Sequence, residues 1–315
     1  MIKKVIGGFC FLLVIGGFAL YTPDKSIEFL KTKYADQDSR FVNIHGMDIH
    51  YKIEGEGMPL LLLHGTGSSL HTWDDWTNFL KDSFQVIRLD LPAYGLSGPR
   101  PDRDYSMSSY ISFLDDFTDF IGVDSFHIAG NSFGGGLAFI YAGHFPEKVG
   151  KLILMDAAGL PNEDEPPMVF KLASSPILSM ILKKITPKSF IKKNMLEVYY
   201  NDDLVTKDIV TRYHDMATRA GNRQAFIDRV RSPQEDHSEL LFQLEEPTLI
   251  MWGEEDAWTP YKNAGIMHDM IPNSKSISIS YPNVGHLPME EYPIQSARDA
   301  SLFLSEHLDK WILNI

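Results

Sequence analysis

The chain has 315 residues, of which 44% are hydrophobic, 12% aromatic and 23% charged, so it can bury one large domain with an insertion and is neither disordered nor fibrous. Its formal net charge of −13 argues against a nucleic-acid partner, because phosphate binding needs a basic surface. The single cysteine, Cys10, excludes an intrachain disulfide and a Cys-based metal site.

The first 25 residues, MIKKVIGGFCFLLVIGGFALYTPDK, put Lys3 and Lys4 ahead of an uncharged apolar run from Val5 to Leu20. That order is expected of a secretory signal or a signal anchor. The run is shorter than the roughly 20 residues that usually span a bilayer, and Gly17-Phe18-Ala19 offers a small-x-small cleavage pattern. Residues 1–25 are therefore expected to export the chain, which is then either secreted or left anchored to the membrane. Ser26 to Arg40 reads as a polar helical spacer.

From Phe41 the pattern becomes short β-like runs separated by turn residues. FVNIHGMDIHYKIEGEGMP predicts two strands around His45-Gly46, with Gly55 and Gly57 closing the second. LLLLH, FQVIRLD, DSFHIAG, GKLILMD and PTLIMWG are continuous apolar runs, the mark of strands buried on both faces in a parallel sheet. Helix-period segments such as SMSSYISFLDDFTDFIG and FGGGLAFIYAGHF lie between them. This alternation predicts an α/β fold with a doubly wound, mostly parallel sheet. No internal repeat is present.

Ligands in such a sheet bind beyond the carboxyl ends of the strands, which directs attention to the polar residues after each apolar run. Gly130-Asn131-Ser132-Phe133-Gly134 follows a predicted buried strand and opens a helix, the context in which G-x-S-x-G forms a nucleophile elbow. The competing reading is a glycine-rich turn whose serine caps the helix. A serine hydroxyl needs a base and an orienting acid. His286, behind Asn283-Val284-Gly285, is the base candidate, and the remaining histidines read as surface or core residues. Asp256, after PTLIMWG, is favoured as the acid over Asp156, which also ends a strand. Glu254 and Glu255 read as solvated neighbours. For the oxyanion, the amides of Phe133 and Thr66 are the first choice, with Gly67 the alternative to Thr66. His64 is expected to brace that loop, and Trp73 and Trp76 to lie in the core. None of this chemistry calls for a cofactor or a metal.

HGTG, DLPAYGLSG, GNSFGG, GEEDAWTP and GHLPMEE, in this order and spacing, resemble the α/β-hydrolase superfamily from Phe41 to the C-terminus. A serine at 132, where haloalkane dehalogenases and epoxide hydrolases carry aspartate, implies the branches that cleave esters, lipids or carbon–carbon bonds. Asn131 and the segment YYNDDLVT are similar to hydrolases of aromatic ring-cleavage products, but two features depart from that pattern. Leu287 stands where those enzymes have a tryptophan, and no arginine occurs between Lys151 and Thr211. Some secreted bacterial lipases resemble the same branch, and export suits them better.

Residues 157–245 read as a helical cap inserted into a core of residues 41–156 and 246–315. Met168 to Met195 holds six lysines and no acidic residue, among Phe170, Leu172, Ile177, Leu178, Ile181 and Leu182. A solvated helix face is the plainer reading, and an interfacial face meeting anionic lipid the alternative. Pro176 is expected to break this segment. The expected activity is cleavage of a small-molecule or lipid carboxylic ester by Ser132, His286 and Asp256. Carbon–carbon hydrolysis, or ligand sensing without catalysis, is the alternative.

Overall fold

The computed structural model describes residues 21–161, 165–272 and 275–305. The expected export segment thus lies almost wholly outside the described residues, among which no helix is long and apolar enough to cross a membrane.

Eight strands form one sheet in the order β1-β2-β4-β3-β5-β6-β7-β8. β1 (Arg40–Ile44) and β2 (Met47–Glu54) make the antiparallel edge. β3 (Met58–Leu63), β4 (Phe84–Leu89), β5 (Phe126–Asn131), β6 (Val149–Met155), β7 (Thr248–Gly253) and β8 (Ser276–Tyr281) run parallel, as their unbroken apolar sequences predict. The β1–β2 turn uses His45 and Gly46, both at positive φ (51° and 77°), the backbone of a two-residue turn that matches strand twist.

Alternation along each strand divides the core into two layers. Leu61, Ile128, Leu154 and Ile250 point to one face, where α3 (Met107–Ile121) and α4 (Phe133–His144) pack through Phe113, Phe117 and Leu137. Leu60, Leu62, Ile153 and Met251 point to the other, against α2 (Asp74–Leu80) and α12 (Pro293–Ser305). Trp73 and Trp76 are fully buried there, and the Trp76 indole N–H donates to Ser296 Oγ at 2.9 Å, tying α2 to α12. Ser106 caps the start of α3, and Gly122 ends it at φ 70°.

Between β6 and β7 every described element is helical: α5 (Met168–Ser174), α6 (Leu178–Leu182), α7 (Lys188–Val198), α8 (Lys207–Ala217), α9 (Asn222–Arg231) and short 3-10 turns. Pro176 falls in the break between α5 and α6, as its missing N–H requires. The segment expected to be a spacer is instead docked on these helices. Its helix α1 (Ile27–Tyr34) buries Leu30 completely, and Lys25, Lys33 and the Tyr34 hydroxyl converge on the carboxylate of Asp215. Ile27 and Tyr34 pack beside Leu30 while Phe29 is exposed, so the apolar residues of this octapeptide do not mark out the docked face in the sequence.

Candidate active site

Ser132 occupies the single residue between β5 and α4, at φ 54° and ψ −119°, a region that costs a non-glycine residue on the order of 1–3 kcal/mol. The surroundings enforce it. Its N–H donates to Met155 O at 3.0 Å, while its carbonyl accepts from Gly136 N–H (3.0 Å) and Ala158 N–H (2.9 Å). A Cβ at Gly130 would lie 2.1 Å from Gly134 O, and one at Gly134 would lie 2.3 Å from Leu63 O, so the flanking glycines are steric requirements. The Ser132 side chain makes no capping hydrogen bond, which removes the helix-cap reading.

His286 and Asp256 come together at the same sheet edge. His286 Nδ1 donates to Asp256 Oδ2 at 2.7 Å, both side chains being buried. The second oxygen, Oδ1, accepts the backbone N–H groups of Trp258 (2.7 Å) and Thr259 (3.0 Å), and the Thr259 hydroxyl lies 2.5 Å from Oδ2. Burial alone would raise the carboxyl of Asp256, but the charge of His286 and these donors hold it below the ordinary range. An anion locked this way fixes the imidazole with Nδ1 protonated and leaves Nε2 free to accept a proton. Glu254 and Glu255 are exposed. Asp156 joins the group: one of its carboxylate oxygens, one of Asp256 and a ring nitrogen of His286 lie within 4.8 Å of one another.

The loop after β3 supplies the third side. His64 is fully buried and bridges two turns, with Nδ1 donating to Gly65 O (2.8 Å) and Nε2 accepting from Leu91 N–H (3.0 Å), and burial lowers its pKa. That bonding leaves it a brace with no proton to relay. Gly65 approaches so closely that an added Cβ would lie 3.0 Å from Ser132 Cβ. Thr66 lines a cavity of about 120 Å³ between the sheet edge and the helical segment. Phe133 is the first residue of α4, where an amide has no intrahelical acceptor.

The cavity is walled mostly by apolar side chains, including Val169, Leu182, Phe190, Met195 and Phe226, with Trp258 and Leu287 on the side of His286. Ser132 and His286 are not themselves in its wall. The Trp258 ring packs against His286 at 5.8 Å and meets Phe170, which in turn meets Phe226. One polar wall residue was not legible in the sequence. Arg223, on α9, donates from Nη2 to Asp24 Oδ1 (2.6 Å) and Thr22 O (2.8 Å), while its Nε and Nη1 are buried without a partner.

Several motif letters acquire physical roles. Asn131 donates from Nδ2 to His286 O (3.0 Å) and Met155 O (3.3 Å), joining the His286 loop to the strand that leads into Ser132. Glu290 accepts from Thr72, Tyr199, Arg212 and Tyr213, and Glu291 from the amides of Tyr200, Asn201 and Gly285. His286 N–H donates to Val198 O at 2.7 Å. The paired glutamates of GHLPMEE and the tyrosines of YYNDDLVT therefore clamp the helical segment to the histidine loop.

A mostly parallel sheet with serine, histidine and aspartate at its carboxyl edge defines a hydrolase scaffold. The chain belongs to the alpha/beta hydrolase fold family, whose model matches residues 58–293. It is 28% identical over 283 residues to a 2-hydroxy-6-oxo-6-(2'-aminophenyl)hexa-2,4-dienoic acid hydrolase of Metapseudomonas resinovorans, covering 86% of this chain and 92% of that one. It is 25% identical over 293 residues to Lipase 3 of Moraxella sp. (strain TA144), covering 90% of each. Among solved structures, a membrane phospholipase A described as a bacterial virulence factor superposes with a TM-score of 0.73 at 25% identity, over 97% of this chain and 98% of the other.

Proposed function

We propose that the protein is a serine hydrolase of carboxylic esters whose acyl part is apolar. In this reading His286 takes the Ser132 hydroxyl proton as Oγ attacks the ester carbonyl, and the amides of Phe133 and Thr66 hold the resulting oxyanion. His286 then returns the proton to the departing alcohol, and water attacks the acyl-serine by the same route. Asp256 keeps the imidazole in its working tautomer.

Serine, base and acid serve ester and carbon–carbon hydrolysis alike, so the observation that carries the reading is the cavity, an apolar chamber that reaches Thr66 and Trp258 and has Leu287 in its wall. A second reading rests on Arg223, whose unpaired guanidinium nitrogens in that wall would suit the carboxylate of a ring-cleavage product. Hydrolysis of nitrophenyl esters from short to long acyl chains, against the bleaching of a 2-hydroxy-6-oxo-dienoate, separates the two. Turnover of esters and none of the dienoate supports the first reading, and the reverse result replaces it with the second.

The same reading includes export and a membrane-facing position. Ile177, Met180 and Ile181 are 74%, 66% and 50% exposed on or beside α6. Thr22 donates its N–H to Lys184 O at 2.8 Å, so the first described residues lie beside this face. Lysines without a nearby acidic residue favour anionic headgroups. Co-sedimentation of the chain from residue 21 onward with vesicles of anionic or neutral phospholipid tests this. Binding to the anionic vesicles, lost on Lys183→Glu with Lys184→Glu, supports it, and equal absence of binding to both removes it.

A further inference from the structure

Asp156 ends β6 one strand away from the loop that carries Asp256, and its side chain has no solvent exposure. Its backbone is held at φ 45°, outside the conformations most residues adopt, with its N–H donating to Met251 O at 2.9 Å. Oδ1 accepts the Gly253 N–H at 2.9 Å, and Oδ2 is buried with no hydrogen-bond partner. An ionised Asp156 would place a second negative charge within 4.8 Å of Asp256 and leave one of its oxygens unsolvated, whereas a carboxylic acid supplies the hydrogen that such an oxygen lacks.

On the ester-hydrolase reading of this site, we infer that Asp156 is a positioning residue: as a neutral acid it donates a hydrogen bond to the Asp256 carboxylate, and it becomes the anionic partner of His286 when Asp256 is not ionised. While Asp256 is the anion the proton stays on Asp156, and no bond to substrate is involved. When Asp256 is neutral, Asp156 releases its proton to solvent and accepts the hydrogen of His286 in turn.

The groups facing Asp156 agree in direction. Burial and the charge of Asp256 push its carboxyl well above the ordinary range, Glu291 adds to this from α11 (Pro288–Glu291), and the Gly253 amide opposes it. His286, whose ring nitrogen lies within 4.8 Å of this carboxylate, is already engaged by Asp256.

The test uses nitrophenyl butyrate hydrolysis by the full chain carrying Ser132→Ala, Asp256→Asn, Asp156→Asn, or both aspartate changes. With Asp156 available as substitute, Asp256→Asn loses about 10²-fold in kcat. The double variant falls to the roughly 10⁴-fold loss of a triad without its acid. Equal rates for Asp256→Asn and the double variant, with matching melting temperatures, overturn the inference. A second readout bears on the proton. An acid whose folded pKa is raised stabilises the fold fully below its unfolded value, about 4, and that contribution drains away as pH rises toward the folded value. Asn carries no such loss and keeps a donor for Asp256. Asp156→Asn should therefore gain melting temperature over the parent progressively from pH 4 to pH 8, and a pH-independent difference also overturns the inference. Full activity of Ser132→Ala would instead reject the serine-hydrolase reading, and this inference with it. Loss of activity there with equal single and double aspartate variants rejects the inference alone.

Discussion

Ser39, His50 and Asp90 form a hydrogen-bonded chain that matches the candidate triad in its acid–base half. His50 Nδ1 donates to Asp90 Oδ2 at 2.8 Å, as His286 donates to Asp256 at 2.7 Å, and His50 Nε2 lies 3.0 Å from Ser39 Oγ. The difference lies in what surrounds each serine. Ser132 is held in a strained turn between glycines, beside an amide-rich loop and a cavity. Ser39 sits in the loop before β1, where its Oγ also accepts Asp36 N–H at 3.1 Å and stands 3.3 Å from Asp36 Oδ1. Asp90 accepts the amides of Leu70 and Leu96 at 2.7 Å each, and Gly95 packs so tightly that an added Cβ would lie 2.1 Å from its carboxyl carbon. One set stands beside a chamber that Thr66, Trp258 and Leu287 line, and the other fastens loops together. Hydrogen-bond connectivity alone therefore does not make a catalytic triad.

The largest contrast is in turnover. Ser132→Ala should lower kcat for a nitrophenyl ester by about 10⁴-fold or more, whereas Ser39→Ala should leave it within about twofold. A large loss in the Ser39 variant, at unchanged melting temperature, would break the distinction.

Next in size is the cost of removing each acid. Asp90→Ala strands His50 and two buried amides, and should destabilise the fold by roughly 3–5 kcal/mol in urea unfolding. Burial would raise Asp90, but His50 and nearby histidines hold its carboxyl well below the usual range. Its contribution is therefore complete above the unfolded pKa near 4 and is lost as pH falls through the folded value. The parent should lose stability below pH 4 more steeply than the variant, and parallel curves would deny Asp90 this role.

A smaller effect separates the turns. Gly134→Ala presses a methyl group to 2.3 Å from Leu63 O and 2.7 Å from His64 O, a backbone clash that should cost about 1–3 kcal/mol and displace Ser132. Gly122→Ala meets no atom within 4 Å, but its φ of 70° leaves backbone strain of about 1–2 kcal/mol, with turnover unchanged. Equal losses of activity in both would mean that the elbow glycines act through stability alone.

The sequence was informative where a feature is local and less so where it is shared between distant segments. Apolar runs such as LLLLH and PTLIMWG announced parallel strands because burial on both faces leaves no alternation, and GNSFGG announced a strained turn because only glycine fits beside it. The pairing of His286 with Asp256 follows from both lying at strand ends on one edge. Arg223 was not legible as a cavity residue, since its partners, Thr22 and Asp24, are about two hundred positions away. Nor was the role of Glu290, which gathers four donors from three places in the chain. The Ser39 chain escaped notice for the same reason: Ser39, His50 and Asp90 carry no motif spacing, and β2 must pair with β4 before they meet.

The smallest expected effect sharpens the comparison most. Ser39→Ala removes one partially buried hydroxyl that His50 Nε2 and the Asp36 amide share, so the loss should be that of an ordinary hydrogen bond, about 0.5–1.5 kcal/mol. His50 keeps its bond to Asp90 and its stacking on Phe41 at 4.9 Å, which is why the loop should stay in place. A fall in melting temperature with unchanged kcat and KM is the signature of a fastener. If instead the variant kept its stability and lost turnover, the second chain would be acting on the first through the loop that Asp90 organises, between Leu70 and Leu96 and next to the turn that His64 braces. The two chains would then be one device rather than two.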